Sequence, residues 1–283
     1  VAEDLEKMKD WIGERESGVD YVTIPLVHRL GATLDRDDPM PKNGDVLPYG
    51  WHLPLFPRVV RHSQLGPDGH PARGDFLPPV PLPRRMFAGR RVWWFDDLRV
   101  GDEVTRESSI KDVVIKSGRS GAMVFVTVKV EVSTDRGLAV TEEHDVVYRG
   151  EPEPGTPPAK PQPAPGIAKW TRTVLPDPVM LFRMSALAFN GHRIHVDQPY
   201  VTKVEGYPDL VVPGSLHTLF MFELARESVP GVKFRSIAWR NVRPLFVNRP
   251  FTVCGEPGED GTAKLWVMDA DGALSLSATA QFQ

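Results

Sequence analysis

The stretch "PGSLHTLFMFELARES" (213–228) is the strongest constraint on what this chain can become. Leu216, Leu219, Phe220 and Leu224 recur at helical spacing, while Met221 and Phe222 extend the apolar surface almost all round. A helix of that kind is buried on most sides. Pro213 and Gly214 stand at its start, a favourable helix entry. The segments after it can enclose it: "KFRSIAWRNV", "RPFTVCGE", "TAKLWVMDA" and "ALSLSATAQFQ" alternate as strands do. Before it come a strand-like "KWTRTVL" and a helical stretch through Arg183, Ala186 and Leu187.

The first half runs in a comparable order. A helical "PLVHRLGATLD" comes first, and "LPYGWHLPLFPRVVR" (47–61) stands where a central helix would belong, although its prolines oppose one. Strand patterns come next in "RRVWWFDDL", "DEVTRESSIKDVVIKS", "AMVFVTVKVEVST" and "LAVTEEHDVVYR". The halves agree best where "RRVWWFDDLRVGDEVT" meets "SIAWRNVRPLFVNRPFTV", each a strand, a short turn and another strand. A long helix with an antiparallel sheet able to wrap it, present twice, predicts a duplicated α+β unit. Between the halves, "GEPEPGTPPAKPQPAPG" (150–166) has almost no apolar side chains and reads as an extended connector. The expected units are therefore residues 1–149 and 167–283.

Composition narrows the partners. A net charge of −3 over 283 residues gives no reason to expect nucleic acid or an anionic membrane surface. The only cysteine, Cys254, excludes an intramolecular disulfide, a thiolate zinc cluster and a CxxC redox pair, and fits a reducing cytoplasm. No run approaches the roughly 18 apolar residues of a membrane span. The N-terminal "VAEDLEKMKDWIGERE" is acidic and helical in pattern, unlike a signal peptide. A soluble cytoplasmic protein is expected.

The chemistry concentrates in "SALAFNGHRIHVD" (185–197). His192, His195 and Asp197 offer three N/O donors, the number a catalytic zinc uses, but no fourth ligand stands nearby and the HExxH order is absent. Hydrogen-bonded structural histidines near a helix end are the plainest alternative. The third reading is acid–base work, for which an imidazole titrating near neutrality is suited.

Three tracts, "GDFLPPVPLPRRMFAG", "FRMSALAFNGHRIHVDQPYV" and "YPDLVVPGSLHTLFMFELAR", resemble the double-hotdog, MaoC-like acyl-thioester hydratases. More narrowly, they resemble the branch that holds mesaconyl-C4-CoA hydratases and type 2 hydroxyacyl-thioester dehydratases. The resemblance covers nearly the whole chain. It implies two fused units, each a curved antiparallel sheet around a central helix, and a hydro-lyase acting on 2-enoyl thioesters without metal or organic cofactor. A straight-chain (3R)-hydroxyacyl-thioester dehydratase and a non-catalytic thioester-binding protein are the alternatives.

The commoner hydratase signature of that family, D-x-N-P-x-H, aligns its histidine with His195 and puts Asn190 at the aspartate position. An amide cannot accept a proton at neutral pH, so Asn190 can orient water but cannot be the base. The proton work then falls on His195, with His192 second, and Asp197 is a candidate to orient an imidazole. The resemblance also implies an oxyanion donor at Gly214, with Ser215 as helper, because the first amides of a helix lack internal partners. In the first half, "GATLDRDDPMPKN" has Asp35, Asp37 and Asp38 but no histidine after Pro39, which implies a catalytically silent half that shapes the acyl pocket.

A CoA thioester brings phosphates and a pantetheine arm, for which the basic Arg84 and Arg85 and the aromatic Trp93 and Trp94 are candidates. An acyl group with its own carboxylate needs an arginine beside it, and Arg183 or Arg193 could serve. Arg183 lies seven positions before Asn190, on the same face if one helix joins them. A homodimer is a fold-level expectation.

Overall fold

The computed structural model describes residues 2–71, 76–118, 121–150 and 160–283. In chain order they form α1 (Ala2–Glu6), β1 (Arg15–Tyr21), α2 (Ile24–Thr33), β2 (Arg84–Trp94), β3 (Glu103–Gly118), β4 (Gly121–Thr134) and β5 (Gly137–Arg149). The second half adds β6 (Trp170–Val174), α3 (Pro178–Leu187), α4 (Gln198–Lys203), α5 (Gly214–Ser228), β7 (Phe234–Asn241), β8 (Phe251–Pro257), β9 (Thr262–Met268) and β10 (Leu274–Phe282).

All ten strands join one antiparallel sheet in the order β1-β3-β4-β5-β2-β7-β10-β9-β8-β6. Read outward from the β2–β7 pair, the order is the same in both directions. At that seam Arg90 faces Trp239 and Arg91 faces Ala238. Gly89 is required there, since a Cβ on it would lie 2.4 Å from the Trp239 carbonyl oxygen.

The two helices next to the edge strands start alike. Thr23 caps α2 by accepting the Leu26 N–H, Asp177 caps α3 by accepting the Met180 N–H, and each helix has proline in its first turn. α2 and α3 pack against each other. Their symmetry stops at the centre. α5 is buried from Leu216 to Ala225 and the second-half strands curve around it, while Leu47–Phe56 in the first half forms turns instead of the expected helix. Pro48, Pro54 and Pro57 remove amide donors along that stretch. The turns press Trp51, His52 and Leu55 into the core, and the Trp51 indole N–H donates to Glu223 of α5 at 2.8 Å. Arg36 of the first half also pairs with this buried carboxylate, as does Arg226 at 2.9 Å. One central helix thus serves both halves.

Most of the connector expected at 150–166 lies outside the described residues. Its end is tied to the β9–β10 turn, where the Leu274 N–H donates to Gln162 and the Ala164 N–H donates to Gly272. No described helix is long and apolar enough to cross a membrane.

Candidate active site

α3 stops because Phe189 turns left-handed (φ +48°), and the Asn190 N–H reaches back to the Ser185 carbonyl. Asn190 therefore does not continue the helix that carries Arg183, and the shared face expected of those two residues is not formed. The chain then makes a tight turn, in which the Asn190 side-chain oxygen accepts the His192 N–H at 3.0 Å. A single 3-10 turn, Arg193–His195, delivers His195 to the interior.

His195 is buried, and its Nδ1 lies 2.7 Å from the Val211 carbonyl oxygen. A carbonyl only accepts, so Nδ1 carries the hydrogen and Nε2 keeps its lone pair. Burial pushes this imidazole down to about 4, with the Val211 bond opposing and the His70 charge assisting. It is a neutral base throughout the physiological range. Val211 also fixes the main chain, since its N–H donates to Ile194, and three residues later α5 begins. His195 and the first amides of α5 are thus joined through one short strap. At Gly214 an added Cβ would meet no atom of the described residues within 4 Å. Ser215 is half-buried beside it.

Sequence reading missed two residues here. The His70 ring lies 4.0 Å from that of His192, whose ring is 5.5 Å from that of His195. His70 comes from the first half, so that half does bring a histidine to the site, though from the 66–70 turn and not from 31–43. Asp68 holds it, accepting the His70 N–H at 3.0 Å and approaching its Nδ1 at 3.4 Å. The only sequence signal was the turn-forming "GPDGH". The turn is locked on the 190–193 segment by the Arg193 N–H, which donates to Asp68, and by the Arg193 guanidinium on the Pro67 carbonyl.

Burial pushes His192 down to about 3, helped by the charges of His70, His195 and Arg85. Burial also lowers His70, with Asp68 opposing and Arg85 assisting. Arg85 is therefore the cation nearest in effect to both rings. It lines a narrow surface cleft with Arg58, Leu77, Pro79, Val80 and Tyr148. Arg84 faces Arg149 across β2–β5. Trp93 lies eight residues along β2 from Arg85, roughly 25 Å of strand.

Two expected roles are corrected. Asp197 orients no imidazole: it accepts the Tyr200 N–H at the start of α4 and binds the Arg193 guanidinium at 2.8 Å. Arg193 is held by that pair and by the Tyr200 ring 4.0 Å below it, which occupies the fork a substrate carboxylate would need. Arg183 is exposed on α3. Donor atoms of Asp68, His70 and His192 lie within 4.8 Å of one another. However, the His70 and His192 rings are stacked only 35° from parallel, so their in-plane lone pairs run side by side and do not converge on one ion.

Residues 50–247 match the family described as Hydroxyacyl-thioester dehydratase type 2. The chain belongs to that family. It is 43% identical to the mesaconyl-C(4)-CoA hydratase of Chloroflexus aurantiacus over 278 residues, covering 96% of each chain. It is 27% identical to the mitochondrial hydroxyacyl-thioester dehydratase type 2 of Schizosaccharomyces pombe, over 88% of this chain and 91% of that protein. Among solved structures, a MaoC-like dehydratase from Phytophthora capsici superposes with a TM-score of 0.68 at 12% identity, covering 99% of this chain and 98% of that one. A Mycobacterium tuberculosis protein described as a double hotdog matches with a TM-score of 0.55 at 12% identity, over 96% of both chains. The fold is a double hotdog, and His192 and His195 sit on its second half.

Proposed function

We propose that this chain reversibly hydrates a 2-enoyl-CoA thioester, with mesaconyl-C4-CoA giving citramalyl-CoA as its reaction. The observation that carries the chemistry is His195: a buried imidazole whose Nδ1–H is anchored on a carbonyl while Nε2 is left as the base. The near-full-length relative of 43% identity supports the substrate.

In this reading His195 Nε2 takes a proton from water as the oxygen bonds to Cβ. The π electrons move toward the thioester carbonyl, whose oxygen gains negative charge. The Gly214 N–H meets that charge at the helix start, with Ser215 beside it. Asn190 and His192 orient the water and the acyl group. Arg85 faces the anionic part of the substrate, and we keep Arg84 as a helper to it. Arg193 shapes the site through Asp197 and Tyr200 and binds no substrate directly. The reading includes a cytoplasmic setting, which the buried Cys254 thiol fits, and a homodimer, which is common for this fold class.

The test follows enoyl-thioester absorbance with mesaconyl-C4-CoA and crotonyl-CoA, using wild type and His195→Ala. Turnover of the carboxylated substrate that disappears in the folded variant supports the reading. Preference for crotonyl-CoA would favour straight-chain dehydration, and binding without turnover would make the histidines structural.

A further inference from the structure

Water addition needs a proton delivered to Cα as well as one taken from water, and Asn190 can do neither. We propose that His70, supplied by the first half, is the second catalytic residue, giving a proton to Cα in hydration and removing it in dehydration. This rests on the hydration reading and deepens it.

Three imidazoles stand in a row, His70 against His192 at 4.0 Å and His192 against His195 at 5.5 Å. His70 repeats the design of His195. Its Nδ1 turns toward an anchoring acceptor, the Asp68 carboxylate at 3.4 Å, and the same carboxylate holds its backbone N–H at 3.0 Å. Nε2 is then the working atom of each ring. The two rings also differ usefully. His195 is anchored on a neutral carbonyl and suits a base, whereas His70 faces a carboxylate that stabilises an added proton.

The position of this ring is built. Gly69 has φ +84°, and the next residue is held to the 190–193 segment through Asp68 and Arg193. The balance closes on one water. Its first proton goes to His195 Nε2 and its oxygen bonds to Cβ, while the double-bond electrons pass to the thioester as an enolate. The enolate carbon takes the His70 proton. His195 then gives up its proton to solvent and the partly exposed His70 takes one back from it, leaving the enzyme unchanged and H and OH added across the double bond.

The test uses the full chain with His70→Ala and His70→Gln, each checked for folding. Hydration of mesaconyl-C4-CoA is measured with and without added imidazoles of differing basicity, alongside exchange of the Cα hydrogen of citramalyl-CoA with deuterated water. We expect turnover and Cα exchange to fall together by roughly 100-fold or more, the usual worth of a positioned proton carrier. In His70→Ala, imidazoles should restore turnover in proportion to their basicity. Near wild-type turnover in His70→Gln would overturn the assignment. So would a loss that leaves Cα exchange intact and that no imidazole restores, because a packing role behaves that way. Should His70→Ala not fold, His70→Gln decides by exchange alone. A wild type that hydrates no enoyl thioester would remove the hydration reading itself, and this assignment with it; a wild type that does so beside an unaffected His70 variant removes only this one.

Discussion

Gly69 of the first half and Gly191 of the second touch backbone to backbone: a Cβ on Gly69 would stand 2.1 Å from the Gly191 carbonyl oxygen. No side chain fits between the two turns, and Gly69 also needs its left-handed φ of +84°. Gly69→Ala should therefore push the Asp68–His70 turn off the site. We expect a stability loss of about 1–3 kcal/mol together with a larger fall in turnover. Gly206→Ala is the control, since φ is +72° there but an added Cβ meets nothing within 4 Å. It should share the strain and spare the activity. Thermal unfolding and turnover of both variants check this.

His195→Gln should cost about 10²–10⁴ in kcat/KM without unfolding the protein. The pH profile is the sharper readout. Since burial pushes His195 down to about 4, the base stays neutral well below the usual range of histidine. The acid limb of kcat/KM should therefore fall near pH 4–5, and a limb near 6.5 would show a base of another kind.

Glu223 ties the first half to α5 through Trp51 and Arg36. Glu223→Gln removes the charge that two buried or half-buried guanidiniums face. Breaking a buried pair in this way costs about 3 kcal/mol, which for a chain of this size lowers Tm by roughly 5–10 °C. An unchanged Tm would mean that Asp38, the other partner of Arg36, carries the contact by itself.

His217 is buried inside α5, where the Asn241 side chain interacts with its ring. Burial pushes it down to about 4. The unfolded chain, with imidazoles near 6.5, then binds more protons than the folded one below that pH. Stability from this group is complete above 6.5 and is lost as pH falls toward 4, by roughly 3 kcal/mol for His217. His192 and His195 add to the same slope. Urea midpoints at pH 7.5 and 4.5 should separate widely in wild type and by less in His217→Leu.

Arg85→Met tests the cation at the cleft. Turnover of mesaconyl-C4-CoA should drop through KM, while crotonyl-CoA, which has no free carboxylate on its acyl group, should be much less affected. Equal loss on both substrates would assign Arg85 to the phosphates of CoA. Comparison with the phosphate-free pantetheine thioester separates those two anions.

The sheet and its helices were legible because their patterns are local. The α5 stretch and the alternating strands each declare themselves within a few residues. β1 did not, because "RESGVDY" is an edge strand with no buried position, so alternation left no apolar trace. The first-half central helix failed where Pro48, Pro54 and Pro57 outweighed the symmetry argument. Within the site, His195 could be reached from the motif. Its partner could not, because Val211 contributes a backbone carbonyl, which sequence does not mark. His70 was hidden for a different reason: its neighbours are 122 residues away, and only the folded double sheet brings a loop of one half over the turn of the other.

The β2–β7 seam has a consequence for how such a chain can be divided. Each half's innermost strand is completed by the other's, so cutting within 150–166 would leave two fragments with a raw hydrogen-bonding edge apiece. Those edges are alike, because the strand order is the same on both sides. A fragment could then heal itself on its sister or on a second copy of itself, and only the first of these pairings would put Asp68 and His70 over His192. The covalent connection therefore acts as a matchmaker: it makes the mixed pairing intramolecular, and with it the only arrangement in which both ends of the histidine row are present.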